Sequence, residues 1–487
     1  MNIREAKEEI KKTVWAYTAR TSSGTYRIPI QRQRPILLIG PPGIGKTAVM
    51  EQIASECSLG LVAYTMTHHT RQSAIGLPVL EKKTFAGQEY TITAYTMSEI
   101  IASVYEQIEK TGRKEGILFL DEINCVSETL MPAMLQFLQY KTFGSHRLPE
   151  GWVIVAAGNP SAYNRSVREF DTVTLDRVKK MEIEPDLDVW KRYALERMLH
   201  PAVLSFLELQ PECFYVMEDG RKGFVTGRGW EDLSEMLLTM EELDLTIEDS
   251  LFGQYLQHAE TARKFAFYYR LFEKWKERLH PEEILQGKGE LPGKDLPKLP
   301  FDERMCILWL LLQRLYRQAE DAEEKDSLAR SLLYFTEGTE RAGGSAEEAC
   351  EEQLSRRSKG LQVKKECGLL EPEEEARERK LADIVRICMQ EARLSGEKVP
   401  ELRKQAEKLT GEAGTMQAEA AQAMEHAVSF VRQTFGESQE LMILLTGLLE
   451  HPKAGKLLKE KLPELYEGAR LFLSADRKEE ELRKRLQ

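Results

Sequence analysis

The chain has 487 residues, 42% of them hydrophobic, and its 68 basic and 79 acidic residues give a net charge of −11. A chain of this length predicts about two to four domains with packed cores. Nucleic acid is not the default partner of an acidic chain that lacks a long Lys/Arg run. The seven cysteines are scattered and contain no C-x-x-C pair, which favours thiols in a reducing compartment over a disulfide framework or a zinc site.

Neither the N-terminus nor the most apolar stretch predicts a membrane segment. Residues 1–7 are charged and lack an apolar region, so they do not resemble a signal peptide. The longest strongly apolar run, residues 305–312, is too short to span a bilayer and predicts part of a buried helix. We therefore expect a soluble, cytoplasmic protein without a membrane span.

The first part of the chain alternates predicted strands and helices. Helices are predicted at residues 2–18 and about 97–109, and a β-hairpin at about 77–95. Short apolar runs predict core strands at residues 36–39, 61–65, 117–120, 152–156 and 181–183. Strands separated by helices favour a parallel sheet with helices on both faces. The predicted fold class is therefore α/β, a three-layer core with a parallel five-stranded sheet.

After residue 185 the strand pattern stops and helical spacing takes over. Residues 188–198 and 230–243 predict helices, and two apolar stripes predict helices farther on, the second of them stopping at Gly436. The stripes consist of Leu381, Ile384, Val385 and Cys388, and of Ala420, Ala423, Met424, Ala427, Val428, Val431 and Phe435. The predicted domains are an α/β core at 1–185, a helical lid at 186–285, a Gly/Pro-rich linker at 286–300 and an α-helical C-terminal region at 301–487.

Residues 40–47 are the most informative stretch of the sequence. They read G-x-x-x-x-G-K-[ST] between the predicted strand at 36–39 and a helical segment that follows. In such a loop, backbone N–H groups and the helix N-terminus attract phosphate. Lys46 would reach the β- and γ-phosphates, and the Thr47 hydroxyl would ligate Mg²⁺. The predicted nucleotide-binding residues are Gly40, Pro41, Pro42, Gly43, Ile44, Gly45, Lys46, Thr47 and Ala48.

Polar residues follow two other predicted core strands. Asp121 and Glu122 come directly after the strand at 117–120, and Asn159 follows the strand at 152–156. These side chains should face the phosphates, because ligands bind at the C-terminal ends of parallel strands. Asp121 would hold Mg²⁺ through its water shell, and Glu122 would polarise the attacking water. Asn159 could contact both the γ-phosphate and that water, or it could cap the next turn.

Together these motifs resemble those of the AAA+ ATPases and, within them, the MoxR group. The resemblance covers about the first 285 residues. It rests on Gly40-Pro-Pro-Gly-Ile-Gly-Lys-Thr47, Leu120-Asp-Glu-Ile-Asn124, Ala157-Gly-Asn-Pro160, Leu175-Asp-Arg177 and Val225-Thr-Gly-Arg-Gly-Trp-Glu-Asp-Leu-Ser234. It implies an ATPase that uses ATP and Mg²⁺, with Asn159 as the sensor-1 residue.

The resemblance also gives roles to two arginines. Arg177 matches the arginine finger, which reaches the nucleotide of a neighbouring subunit, and Arg228 matches the sensor-2 arginine of the lid. Both would neutralise charge as the γ-phosphoryl group leaves. A finger acting on a neighbour requires an oligomer, and the family is typically a hexameric ring. Arg165 and Arg168 stay as alternative fingers.

Some residues depart from the family pattern or leave alternatives open. Cys125 stands where many relatives have arginine, and Gly227 stands where proline is common before the sensor-2 arginine. A metal site at His68 and His69 is conceivable, but adjacent residues seldom ligate one metal together, and a loop contact is favoured. The hairpin at 77–95 resembles the helix-2 insert, which in this group points at the ring pore or a client.

The resemblance implies an ATP-hydrolysing remodeller or chaperone that acts on a protein client. MoxR relatives commonly act with a partner that has a von Willebrand A domain. The alternative is a nucleic-acid motor or a restriction-type NTPase subunit, for which Lys82, Lys83, Phe85 and Tyr90 in the hairpin are a thin indication. A catalytically dead scaffold is disfavoured, because Lys46, Glu122 and the arginines are all present.

Overall fold

The computed structural model of the protein describes residues 1–68, 74–143, 146–161, 163, 170–218, 223–288, 296–342, 345–366, 370, 372–395 and 401–486. The contacts within the chain divide it into two compact units. The first unit is Met1–Val189 with Gln362–Leu370, and the second is Trp190–Leu361 with Glu371–Gln487.

The first unit is built on a parallel sheet. Its strands are β1 (Ile36–Ile39), β2 (Gly60–Thr65), β3 (Pro78–Phe85), β4 (Gln88–Tyr95), β5 (Gly116–Asp121), β6 (Thr142–Phe143), β7 (His146–Arg147), β8 (Trp152–Gly158) and β9 (Lys179–Glu182). Five of them form one sheet in the order β2-β5-β8-β1-β9, and every neighbouring pair runs parallel. The predicted parallel five-stranded sheet is thus confirmed.

Helices cover both faces of this sheet. The unit contains α1 (Ile3–Thr18), α2 (Lys46–Glu56), α3 (Glu99–Thr111), α4 (Met131–Tyr140) and α5 (Thr172–Leu175), and α6 (Leu187–Glu196) crosses the boundary between the units. Leu38 of β1 packs in a cluster with residues of α1 and α2, whereas the adjacent Leu37 packs in a second cluster with residues of α3 and α4. Successive strand side chains point to opposite faces, so this division makes the unit three-layered.

Strands β3 and β4 form a hairpin of their own, as the sequence predicts. The turn lies at Ala86 and Gly87, which both have positive φ angles, 50° and 84°, as a two-residue hairpin turn requires. Nearly all side chains of both strands are exposed, including Leu80 at 78%. A two-stranded ribbon exposed on both faces is marginally stable by itself. The hairpin exposes several large apolar side chains, among them Leu80, Phe85 and Tyr90.

Lys141 is a buried lysine at the end of α4. It is 3% exposed, has a left-handed backbone (φ 57°), and its Nζ donates a hydrogen bond to the Ile30 carbonyl at 2.7 Å. Burial lowers the pKa of its amine to about 7. The folded state therefore binds this proton less readily than the unfolded chain between about pH 7 and the normal lysine pKa.

We expect Lys141→Met to change how stability depends on pH. The cost of burying the amine grows as pH falls from the unfolded pKa of 10.5 towards 7 and is constant below that. The variant should gain stability over the wild type by about 1 kcal/mol for each pH unit lowered in that window. Urea unfolding of both proteins at several pH values measures this. Equal differences at pH 7 and pH 9 would contradict it, and Lys110→Met, at an exposed lysine, is the control.

The second unit is mainly helical. Its helices are α7 (Pro201–Leu209), α8 (Gly227–Glu242), α9 (Asp249–Tyr255), α10 (Ala259–Arg278), α11 (Pro281–Leu285), α12 (Phe301–Ala342), α13 (Ala346–Glu366), α14 (Pro372–Ser395), α15 (Leu402–Phe435), α16 (Gln439–Glu450), α17 (Pro452–Lys461) and α18 (Pro463–Leu486). Helix α12, about 60 Å long, contains the apolar run 305–312, which is buried throughout as predicted.

Both predicted apolar stripes face helix-packed cores. Most of the stripe on α15 is buried, and the helix ends where predicted, with Gly436 at a φ angle of 75°. The stripe on α14 packs with residues of α12, α13 and α15. The expectation that strands stop after residue 185 is wrong in one place, because β10 (Val216–Met217) pairs with β11 (Phe224–Val225). A two-residue ladder is too short to produce a periodic pattern in the sequence.

Candidate active site at the ends of the parallel strands

The loop between β1 and α2 has the shape that its glycines permit. Gly43 and Gly45 have φ angles of 72° and 85°, which side chains other than glycine rarely adopt. At Gly40 an added Cβ would lie 2.9 Å from the Ile183 carbonyl oxygen. Gly45 immediately precedes α2, so the loop ends at a helix N-terminus, where backbone N–H groups are free of intrahelical partners. This geometry suits phosphate.

Lys46 lies at the start of α2, and its side chain turns back onto the loop. The residue is 8% exposed, and its Nζ donates to the carbonyl oxygens of Gly40 at 2.8 Å and Pro41 at 2.9 Å. The same amine donates to Oδ1 of Asn159 at 2.9 Å. The loop lysine and the asparagine after β8 are therefore in direct contact. Phosphate oxygens that entered the loop would be stronger acceptors for this amine than neutral carbonyls.

Thr47 and Asp121 meet between the loop and the end of β5. The Thr47 hydroxyl donates to Oδ2 of Asp121 at 3.1 Å. A hydroxyl and a carboxylate beside a phosphate-binding loop are a suitable donor set for Mg²⁺, which accepts oxygen ligands and keeps several waters. The residues fit such an ion when phosphate oxygens complete its coordination.

Glu122 has an unusual backbone and a fixed side chain. Its φ and ψ angles are 55° and 36°, a left-handed conformation that costs a residue with a Cβ about 1–3 kcal/mol. Its N–H donates to Oδ1 of Asp121 at 2.9 Å, and its Oε2 accepts from the Thr67 hydroxyl at 3.0 Å. Thr67, shortly after β2, was not predicted as a site residue. Its only signal in the sequence is its place just beyond a core strand.

Comparison with known proteins agrees with this geometry. Residues 36–176 match the family model of AAA, the "ATPase family associated with various cellular activities". The chain carries an AAA+ ATPase domain. The match starts at the first residue of β1 and includes the loop, Asp121, Glu122 and Asn159, and it ends just before Arg177. A search of curated proteins found no match. The predicted α/β AAA+ fold is confirmed, and ATP binding and hydrolysis follow in general from the domain.

Arg177 lies two residues after helix α5, directly beyond the end of the family match. Asp171 caps the start of that helix by accepting from the Thr174 N–H at 2.8 Å. The Arg177 side chain is exposed, and its Nη1 donates to Oε1 of Gln139 on α4 at 2.8 Å. An exposed guanidinium is available to a neighbouring molecule. The alternative fingers Arg165 and Arg168 lie outside the described residues, as do His69 and the side chain of His68.

Arg228 belongs to the second unit, in the first turn of α8. Thr226 caps this helix by accepting from the Gly229 N–H at 3.2 Å, and the Arg228 side chain is exposed. Trp230, also in the first turn, is fully buried, and its Nε1 donates to the carbonyl oxygens of Cys213 and Phe214 at 3.2 Å each. The buried tryptophan therefore fixes the turn that presents Arg228.

Glu241 fixes the other end of α8. It accepts hydrogen bonds from Tyr269 at 3.0 Å and Lys276 at 2.8 Å, and its carboxylate lies 2.9 Å from His200 Nε2. Burial by itself would raise the pKa of Glu241, but the contacts with His200 and Lys276 outweigh it and lower the pKa to about 2. The carboxylate thus stays charged at neutral pH. Glu241 holds the C-terminal end of α8, and Trp230 holds its N-terminal end.

Cys125, which departs from the family pattern, lies in the 3₁₀ turn after Glu122. Burial raises the pKa of the Cys125 thiol, and the carboxylates of Glu122 and Asp121 raise it further, so the thiol stays protonated at neutral pH. Among the described residues, no three His, Cys, Asp or Glu side chains are grouped to hold a metal by themselves. No described helix combines the length and apolarity that crossing a bilayer demands.

Proposed function

We propose that this AAA+ protein is a Mg²⁺-dependent ATP-hydrolysing remodeller of the MoxR type, which acts as a ring on a protein client. The observation that carries the proposal is the position of Glu122. Its carboxylate accepts from Thr67, and its N–H donates to Asp121, the carboxylate that also accepts from Thr47. A phosphate loop alone binds nucleotide, whereas a fixed carboxylate at its edge can also activate water.

Each side chain of the site has a separate role in hydrolysis. The loop amides and Lys46 bind and orient the β- and γ-phosphates, and Thr47 and Asp121 hold Mg²⁺. Bound there, Mg²⁺ supplies positive charge to the phosphate oxygens. Glu122 accepts a proton from water and orients the water oxygen for attack on the γ-phosphorus, and ADP leaves as the bond between that phosphorus and the β–γ bridging oxygen breaks. Asn159 contacts the γ-phosphate and that water. The hydrogen bond that its side chain accepts from Lys46 holds it close to the phosphate loop.

The ring is proposed from the role given to Arg177, because a finger that acts on a neighbouring subunit requires an oligomer. The exposed Arg177 acts on the nucleotide of the neighbouring subunit, and Arg228 acts on the nucleotide of its own subunit. Head-to-tail contacts of this kind close into a ring when the rotation between neighbours is a whole fraction of a full turn and involves no shift along the axis. We propose six subunits, and the domain boundaries 1–185, 186–285, 286–300 and 301–487, on the resemblance to the MoxR group. Cytoplasmic location is part of the same proposal.

The exposed hairpin β3–β4 is the proposed contact with the client. Its lysines lie beside carboxylates of the same hairpin, Lys82 3.3 Å from Glu89 and Lys83 3.6 Å from Glu81. This local pairing leaves little net positive charge for a nucleic-acid backbone. The exposed Leu80 instead favours a protein surface. On the MoxR resemblance, the partner is a protein with a von Willebrand A domain.

A client trap tests this proposal. We expect Glu122→Gln protein, loaded with ATP, to capture a von Willebrand A protein from native lysate, identified by mass spectrometry. Adding Leu80→Ser should lose that protein, because it removes the most exposed apolar side chain of the hairpin. Leu394→Ser, at a leucine of α14 that is 82% exposed, is the matched control and should retain it. Recovery of DNA or a nuclease instead would favour the nucleic-acid motor.

A further inference from the structure

Asn124 is a buried polar residue next to the catalytic carboxylates that the proposed mechanism does not yet use. It lies in the 3₁₀ turn Ile123–Cys125, directly after Glu122, and is 3% exposed. A buried amide needs hydrogen-bond partners, because its polar atoms are otherwise removed from water without compensation. The hydrogen bonds and packing contacts of this side chain therefore indicate which part of the site it stabilises.

The amide of Asn124 reaches across to the segment after β8. Its Nδ2 donates a hydrogen bond to the main-chain oxygen of Asn159 at 2.7 Å. Asn159 is also the residue whose side chain accepts from Lys46 at 2.9 Å. Asn124 thus holds the backbone of Asn159, the residue whose side chain contacts Lys46.

Gly158 fits against the same amide. A Cβ added to Gly158 would lie 2.5 Å from Oδ1 and 2.7 Å from Cγ of Asn124, so only glycine leaves room for this contact. The Gly158 carbonyl in turn accepts from the Gly40 N–H at 3.2 Å, at the start of the phosphate loop. The amide is therefore packed between the turn after β5 and the end of β8, where a small shift would move Asn159.

The orientation of the amide is determined by its surroundings. With Nδ2 towards the Asn159 carbonyl, a donor faces an acceptor, whereas the flipped amide would place two oxygens together. In this orientation Oδ1 has no hydrogen-bond partner in the described part of the chain. The hydrogen bond that fixes this side chain among the described residues is therefore the one its Nδ2 donates to the Asn159 carbonyl.

We propose that Asn124 is a positioning residue for hydrolysis, which fixes the position of Asn159 relative to Glu122. The inference rests on the proposed function, because it acts through the role given there to Asn159. The turn that carries Asn124 follows Glu122 directly, so one hydrogen bond ties the residue that activates water to the residue that contacts the γ-phosphate. Removing it lets the two groups move independently, and misplaced groups lose rate more than affinity.

A double-mutant cycle tests this. Asn124→Leu keeps the approximate size of the side chain and removes the donor without adding charge. We expect turnover to fall about 10- to 100-fold, with the ATP dissociation constant unchanged. In an Asn159→Ala background the same substitution should have little further effect on turnover, because the Asn159 side chain that Asn124 positions is already absent. Gln107→Leu is the control and should retain wild-type turnover, because it changes another buried amide, whose nitrogen has no hydrogen-bond partner among the described residues.

The outcomes separate the inference from the proposed function. Asn159→Ala with wild-type turnover would overturn the role of Asn159 and the inference with it. Reduced turnover in Asn159→Ala but normal turnover in Asn124→Leu would overturn the inference alone. Equal effects of Asn124→Leu in both backgrounds, or weaker ATP binding in step with slower turnover, would also overturn it. If Asn124→Leu does not fold, Asn124→Ala, which removes the same donor without adding volume or charge, completes the cycle.

Discussion

Glu122→Gln should leave ATP bound and stop its turnover. Glutamine has nearly the same shape, and its Oε1 can still accept from the Thr67 hydroxyl, so the site keeps its geometry. The amide cannot take a proton from water, and losing a general base costs about 10²- to 10⁴-fold in rate. Steady-state hydrolysis and equilibrium binding of ATP, measured on the same preparation, give the two quantities separately.

The control for this substitution is Glu109→Gln, at an exposed glutamate of α3, which should hydrolyse ATP normally. We also expect Glu122→Gln to hold its oligomer in the presence of ATP, because the nucleotide that joins neighbouring subunits is no longer consumed. Mass photometry with and without ATP measures this. Loss of ATP binding in the variant would contradict the role of Glu122 as a base, since a base is not needed to hold the phosphates.

The sequence predicts the core strands well for a physical reason. Both faces of the sheet are covered by helices, so strands such as β1 consist of consecutive apolar residues, and such runs stand out from their surroundings. The two-residue pairs β6–β7 and β10–β11 lack any such pattern. Their pairing depends on the tertiary structure around them, which a local reading of the sequence does not contain.

The residues of the candidate site also differ in whether the sequence alone could indicate them. Lys46, Asp121 and Asn159 could be predicted because each lies in a short motif at the end of an apolar strand. Thr67 could not, since its partner Glu122 is 55 residues away in the chain, and Asn124 lies within the Leu120–Asn124 motif without any sign of its contact with Asn159, 35 residues away. The residue type of a threonine or an asparagine does not by itself distinguish such a contact from an ordinary turn. The structure adds these supporting residues to the motifs.

Arg177→Ala should retain ATP binding and lose hydrolysis, by about 10³-fold or more, because a finger supplied from a neighbour stabilises the charge of the transition state. Its contact with Gln139 is on the exposed surface of its own subunit, so the fold should survive the substitution. Hydrolysis and binding are measured as for Glu122→Gln. Arg4→Ala, at an exposed arginine of α1, is the control. Normal hydrolysis by Arg177→Ala would transfer the role to Arg165 or Arg168.

Mixing the two inactive variants distinguishes a finger that acts on a neighbour from one that acts within its own subunit. An Arg177→Ala subunit still has Glu122, and a Glu122→Gln neighbour still has Arg177, so their shared interface is complete. In an equimolar mixture about one interface in four has this arrangement, and activity should return to a measurable fraction of the wild-type value. If Arg177 served its own nucleotide, every subunit would lack one essential group and the mixture would stay inactive. Recovered activity would therefore require both an oligomer and a site divided between subunits, which neither variant alone can demonstrate.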